Sequence, residues 1–292
     1  MSRRWLILDG NFLAYRAFYS TGGLKHQDMP TGVIYGFLRD VLVFQDRFAT
    51  QDVVFAFDHG RQKREDLLPA YKESRKKKRL EWTDEEKANY EGFKRQLEQL
   101  KTSLLRRIGF RNVYYQDGYE ADDHIASFVE GPMAKRDSAV IVSADKDLYQ
   151  LLNPRVAVHN PAAKTNMTLE RFRKEYGISP NLWPTVKAMA GCDTDDVPNV
   201  PGVKDKTAIK YLLGQLKPSS KTHKTITSLE YKRLVNENLQ IVLLPFRGTK
   251  EPVHVPDEVT PASWHAVTKE LGFKSIDDVV NVSGVSRKPL RE

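Results

Sequence analysis

WLILD (residues 5–9), VVFAFD (53–58) and AVIVSAD (139–145) are three short apolar runs, each ending on an aspartate. Their Val, Ile, Leu and Phe content is that of strands buried on both faces of a parallel sheet. In such sheets ligands bind beyond the carboxyl ends of the strands, so Asp9, Asp58 and Asp145 are aimed at one place. Asp147 follows two residues after Asp145, and Glu120, Asp122 and Asp123 open a further apolar-periodic segment. Carboxylates so crowded would be forced to protonate unless cations neutralised them. The simplest reading is a site for hard divalent metals. A single strand-end aspartate is more often a helix cap or turn former. Recurrence at every expected strand end is what argues for ligands.

Around these runs, residues 1–162 alternate strand-like and helix-like segments, as an α/β fold does. Helices are expected over 12–19 and 31–48, and another is capped by Thr83 with Glu86 three residues on. Phe93, Leu97, Leu100, Leu104 and Ile108 give that helix an apolar stripe. Strands are expected over 112–117 and 156–161, and a helix over 122–129. From residue 163 the pattern turns helical. Segments 181–191 and 206–213 flank a Pro/Gly turn at 198–202, residues 217–227 read as a mobile loop, and helices follow over 230–244 and 261–271. The last dozen residues read as poorly structured. The expected division is an α/β domain over 1–162 and a helical region over 163–292.

The 292 residues carry a net charge of +8 and a single cysteine, Cys192. One cysteine excludes an internal disulfide and fits a reducing compartment, and the apolar runs are too short to span a bilayer. A cytoplasmic protein is expected. With an acidic site, the positive excess must lie elsewhere, and that combination suits a phosphodiester substrate. The basic stretch REDLLPAYKESR (64–75) begins six residues after Asp58. Lys72 and Arg75 can neutralise charge at a scissile phosphate, and Tyr71 can stack on an unpaired base. Lys76 begins a vaguer basic run that attracts nucleic-acid backbone. The turn in GCDTDDVPNVPGVKDKTAIKYL (191–212) offers backbone amides and a helix N-terminus to a phosphate.

DGNFLAYRAFYS (9–20), FDHGRQKREDLLPAYKESR (57–75), YEADD (119–123), SADKD (143–147) and GCDTDDVPNVPGVKDKTA (191–208) occur in the order and near the spacing of the flap endonuclease (5′-nuclease) family. The chain resembles its bacterial and phage 5′→3′ exonucleases, including the 5′-nuclease domain of DNA polymerase I. The resemblance runs from Asp9 to about Leu213, and NLQIVLLPF (238–246) resembles a later family segment. It implies a mostly parallel central sheet flanked by helices, a helical arch over about 61–108, and a helix–three-turn–helix over about 181–213 that holds duplex DNA. By position, Asp9, Asp58, Glu120, Asp122, Asp123, Asp145 and Asp147 match the metal-binding acids. Tyr71, Lys72 and Arg75 match residues at the arch base that meet the scissile phosphate. Arg16 and Arg64 match further basic positions, and Gly202, Lys204, Lys206 and Thr207 fall in the DNA-binding turn. The implied cofactors are two Mg²⁺ ions, replaceable by Mn²⁺, with K⁺ at the helix–three-turn–helix. The implied partners are branched, nicked or 5′-flapped DNA and RNA primer–DNA, handled by a stand-alone monomer away from membranes.

One departure stands out. Aligned on Gly191, Pro198 and Gly202, the family's first aspartate in this motif is Cys192 and its second is Asp195. A thiol is a poor Mg²⁺ ligand, so the second metal is expected to bind weakly or to be held by Asp193 after a local shift. Asn199 and Lys204 also replace family glycines. Two rival readings follow. One is a structure-specific DNA-binding protein whose catalysis is impaired at Cys192. The other, a phosphomonoester-cleaving or Toprim-type protein, leaves Tyr71, Lys72 and Arg75 without a role.

Overall fold

The computed structural model describes residues 2–133 and 135–276. Strand β1 (Arg4–Asp9) runs directly into helix α1 (Gly10–Thr21), because the Asp9 carboxylate accepts the Phe12 amide at 2.9 Å and caps the helix. A small hairpin of β2 (Lys25–His26) and β3 (Met29–Pro30) follows, its turn made by Gln27 and Asp28 at φ 48° and 65°. Helix α2 (Gly32–Arg47) leads back to β4 (Asp52–Ala56). Three helices come next: α3 (Gln62–Leu67), α4 (Glu73–Leu80) and α5 (Asp84–Gln99). The expected Thr83–Glu86 capping box starts α5, which passes through a π-helical turn at Leu100–Leu104 into α6 (Leu105–Ile108). Then come β5 (Val113–Tyr114), α7 (Ala121–Glu130), β6 (Ser138–Val142), β7 (Val156–Asn160) and β8 (Thr165–Met167). The remainder holds α8 (Leu169–Tyr176), α9 (Trp183–Ala190), α10 (Asp205–Leu212), α11 (Lys221–Thr227), α12 (Leu229–Val242) and α13 (Pro261–Glu270).

The sheet order is β5-β4-β1-β6-β7-β8, parallel except for β8. The chain builds outward from β1 on one side, then crosses to build on the other, so the carboxyl end of β1 lies at a topological switch point. Both faces are covered. Side chains alternate along β1: Trp5 and Ile7 join a cluster with Ile125 of α7, Trp183 of α9 and Ile241 of α12. Leu6 and Leu8 face the opposite way, onto Leu13, Phe37 and Phe93 of α1, α2 and α5. The helices after residue 163 therefore share a core with the sheet.

Three sequence expectations are corrected. The sheet does not end near 161, because Asn160 Oδ1 accepts the Ala162 and Ala163 amides and turns the chain into antiparallel β8. The strand expected over 112–117 shrinks to two residues. Asn112, Tyr114 and Gln116 instead use their side chains to bind backbone of residues 248–255. The segment expected as a mobile loop contains α11, started by Ser220 Oγ accepting the His223 amide at 3.3 Å and anchored by buried Ile226. Ser220→Ala should cost about 1 kcal/mol, read as a Tm lower by roughly 2–4 °C. The last dozen residues lie outside the described residues. Among the described residues, no helix is long and apolar enough to cross a membrane.

Candidate active site

The strand ends deliver Asp9, Asp58 and Asp145 to the same edge of the sheet, and α7 begins there with Glu120 and Asp122. Asp9 is fixed twice, by its cap to α1 and by Ser143 Oγ donating to Oδ2 at 2.8 Å. Asp58 accepts the Ala121 amide at 2.7 Å, while its own amide donates to Asn11 Oδ1. That pair of bonds ties the end of β4 to the starts of α1 and α7. Asp145 accepts the Asp147 amide at 2.7 Å and so opens the 3₁₀ turn Asp147–Leu151. The bonds that shape each turn also fix the direction of its carboxylate.

The acids feel one another. Burial among protein atoms, with the charges of Asp58 and Asp145 added, pushes Asp9 up to about 7. Burial and Glu120 raise Asp58 to about 6, and burial and Asp145 raise Asp147 to about 7. Asp122 is held well above the usual carboxylate range by burial and by Asp123. This is the signature of an anionic site that favours bound cations.

The protein's own cations lie against the arc. Lys72 bonds Glu120, and Tyr71 Oη donates to the same carboxylate at 2.8 Å. Burial works against the charge on Lys72, but Glu120, Asp195 and Asp58 outweigh it and hold its pKa above an ordinary lysine's. Arg75 pairs with Asp195 and donates Nε–H to the Thr194 carbonyl at 3.0 Å. The Lys72 amide donates to the Asp195 carbonyl, and the Ser74 amide to Asp196 Oδ2 at 2.8 Å. The start of α4 is thereby clasped to the loop after α9. Lys72 and Asp196 both hold left-handed backbone, at φ 54° and 55°, inside this clasp. The resulting cleft is lined by Tyr71, Lys72, Asp122, Asp145, Asp147 and Asp195, with Cys192 among them.

The structure gives several of the expected site residues partners of their own. Asp123 is fully buried and accepts two bonds from Arg64, at 2.7 and 2.8 Å, and one each from the Phe246 and Glu120 amides. Both its oxygens are engaged by these donors within the core. Arg64, 3% exposed, is engaged by this pair and by the Ile241 carbonyl while its side chain also lines the cleft. Tyr71 is buried with Lys72 over its ring, so it walls the cleft and offers no free face for a base. Asp193 points to solvent, its side chain 85% exposed and paired with Lys204 at 3.0 Å. It does not replace the aspartate position taken by Cys192. Arg16 is held by Asp40 on α2 at 2.9 Å, and Lys76 by Glu65 at 3.0 Å. Lys187, Ser143 and Asn11 were missed. Lys187 of α9 meets Asp147 at 3.4 Å, and a lysine inside the apolar segment WPTVKAMA was its sequence signal.

The remaining donors are hard oxygens: Asp9, Asp58, Glu120, Asp122, Asp145, Asp147 and Asp195. They suit Mg²⁺ or Mn²⁺ in kind. Among the described residues no three of these side chains stand close enough together to hold a metal ion as they lie. Burial and Asp195 push the Cys192 thiol up, so it adds no negative charge. Cys192→Asp should tighten the binding of Mg²⁺ to these acids by roughly tenfold. An unchanged metal titration would show that the cysteine does not limit the site.

Beside the cleft, α9 and α10 flank the turn that carries Gly202. Gly202 sits at φ 75° with open space where a Cβ would lie, and Lys204 and Lys206 are exposed around it. Asn199 folds inward, its amide donating to the Val200 and Val203 carbonyls, and Asn238 stitches the turn from α12. Asparagine thus supplies by hydrogen bonding the tightness expected of glycine.

Residues 4–177 match the family model described as 5′-3′ exonuclease, N-terminal resolvase-like domain. The chain is 36% identical over 208 residues to the 5′-3′ exonuclease of Aquifex aeolicus, covering 70% of this chain and 68% of that protein. It is 32% identical over 245 residues to the thermostable DNA polymerase I of Thermus thermophilus, covering 79% of this chain and 28% of the polymerase. The chain thus spans about a quarter of the length of the DNA polymerases it matches. In fold it is similar to the T5 5′-exonuclease solved with zinc ions bound, with a TM-score of 0.71 at 23% identity over 83% of this chain and 90% of that one. The matched segment runs from β1 through α8, the stretch that builds the sheet and its row of acids. On that match and on the Aquifex aeolicus identity, this chain belongs to the 5′-3′ exonuclease family of nucleases.

Proposed function

We propose that the chain is a structure-selective 5′ nuclease, a 5′→3′ exonuclease and flap endonuclease that hydrolyses DNA phosphodiesters near a 5′ end. The observation that carries this reading is the row of mutually repelling acids at the ends of β1 and β4, at the start of α7 and after β6, with Lys72 paired to Glu120 and Arg75 to Asp195 beside it. Divalent ions held by those acids would supply activation of water and neutralisation of phosphate charge. A phosphate entering the cleft competes with Glu120 and Asp195 for Lys72 and Arg75, which then stabilise the charge that grows at phosphorus. Buried Tyr71 keeps Glu120 oriented. The exposed basic side chains of α4 attract the 5′ single strand, and the turn at Gly202 with Lys204, Lys206 and Thr207 grips the adjoining duplex by its backbone. The bacteriophage T5 flap endonuclease, similar in fold with a TM-score of 0.69 at 21% identity over 92% of this chain and 95% of that one, was solved with DNA and metal ions.

The test is a labelled 5′-flap series in Mg²⁺ or Mn²⁺, with DNA and ribonucleotide 5′ segments. Cuts at or near the flap junction are expected, abolished by chelator. Binding without any cleavage would favour the rival reading of a DNA-binding protein. Because backbone contacts dominate, raising salt from about 50 to 200 mM should weaken binding at least roughly 100-fold. A flat salt response in a filter-binding assay would contradict backbone-led recognition.

A further inference from the structure

Lys101 is buried at a place where an apolar side chain would pack as well. It belongs to the π-helical turn Leu100–Leu104, buried together with Leu100, Leu104 and Leu105, and its side chain is 6% exposed. Burying an ammonium is costly, and a well-packed apolar residue of similar volume is often at least as stable in its place. The carboxylate paired with it, Glu98 at 2.8 Å, is itself 54% exposed. That pair gives no reason for the lysine to be inside.

What the ammonium reaches is the turn after β4. Nζ lies 2.9 Å from His59 Nδ1 and 3.5 Å from the Asp58 carbonyl. A lysine only donates, so Nδ1 is the acceptor and the ring proton sits on Nε2. Backbone bonds hold the same turn from the other side. The His59 amide donates to the Tyr119 carbonyl at 2.9 Å, and the Gly118 amide to the His59 carbonyl at 2.7 Å. Tyr115 closes the contact, its ring centre 5.4 Å from the His59 ring and 5.5 Å from Nζ. The turn so gripped carries Asp58, and the loop bonded to it leads through Tyr119 into Glu120. Lys101 thus joins the helix after α5 to the backbone of two acids of the site.

We propose that Lys101 is a positioning residue for the Asp58 carboxylate. The inference rests on the nuclease reading in taking Asp58 as a ligand of a divalent ion. Lys101 acts through His59 and the Asp58 carbonyl, fixing the backbone from which the carboxylate projects. An outer partner of this kind typically changes metal affinity by about 10- to 100-fold when removed. The π-helical turn that carries Lys101 is a distortion common at functional sites.

The test uses the full chain and three measurements: Mn²⁺ titration followed by electron paramagnetic resonance, nitrogen NMR of the His59 ring, and thermal unfolding. Lys101→Met should weaken Mn²⁺ binding by about tenfold, with Tm within about 3 °C of the unaltered chain. It should also release His59 from the single Nε2–H tautomer. Glu98→Gln keeps the ammonium and loses only the exposed pair, so it should change neither reading. His59→Phe should weaken Mn²⁺ binding as Lys101→Met does, and the double variant no further, because both act through one contact. Unchanged Mn²⁺ affinity in Lys101→Met, additive losses in the double variant, an equal loss in Glu98→Gln, or a loss that comes only with a larger fall in Tm would overturn the proposal. An unaltered chain that bound no Mn²⁺ would overturn it together with the nuclease reading. Mn²⁺ binding that responds to Lys101→Met as expected, in a chain that cleaves no flap, would overturn the nuclease reading alone.

Discussion

Arg64→Met is expected to destabilise the protein by about 3–5 kcal/mol, because it strands a buried carboxylate. The guanidinium is fully engaged: two N–H groups on Asp123, Nε–H on the Ile241 carbonyl at 3.0 Å, and its face 4.9 Å from the Phe246 ring centre. It therefore joins α3, α7, α12 and the segment after α12 at one point. Methionine keeps the apolar stem but leaves Asp123, fully buried, with amide donors only. Thermal unfolding should show a Tm lower by roughly 10 °C. Adding Asp123→Asn should restore part of the loss, since the double variant buries no lone charge. A variant that kept its Tm but lost DNA affinity would return Arg64 to the DNA-contact role its motif position implies.

Asp145→Asn should reduce flap cleavage by about 100- to 1,000-fold with the fold intact. Asparagine retains an oxygen to accept the Asp147 amide, so the 3₁₀ turn survives; only the charge is lost. That charge helps raise both Asp9 and Asp147. Removing it relieves repulsion in the metal-free protein, so Tm should hold or rise while catalysis falls. This is the trade between stability and activity expected where like charges are gathered for function. Single-turnover cleavage and thermal unfolding on the same preparation give both readings. Retained cleavage would remove Asp145 from the proposed mechanism.

Much of the site was legible because strand periodicity is short-range. WLILD, VVFAFD and AVIVSAD each report their own burial, and a parallel sheet aligns their carboxyl ends whatever else the chain does. Lys72 and Arg75 were legible from their distance after Asp58. The turn chemistry of Asn160 and the cap of Ser220 were equally local but were read as the end of the sheet and as loop. The short β5 was not local at all, since it depends on residues more than 130 positions away bonding Asn112, Tyr114 and Gln116.

Adjacent acids mark the boundary between the two kinds of information. Asp122 and Asp123 open one helix, where one residue turns the side chain by about 100°, so only one of them can face the cleft. Sequence alone places both at the start of α7 and cannot choose. Arg64, arriving from α3 across the core, chooses by taking Asp123 and leaving Asp122 to line the cleft. In the same way Lys204 draws Asp193 out to solvent, while Arg75 and Lys72 hold Asp195 inward. The sequence determined that carboxylates gather at the switch point of the sheet. Which of them remain there depends on long-range packing, because each is claimed by whichever cation the fold brings within reach.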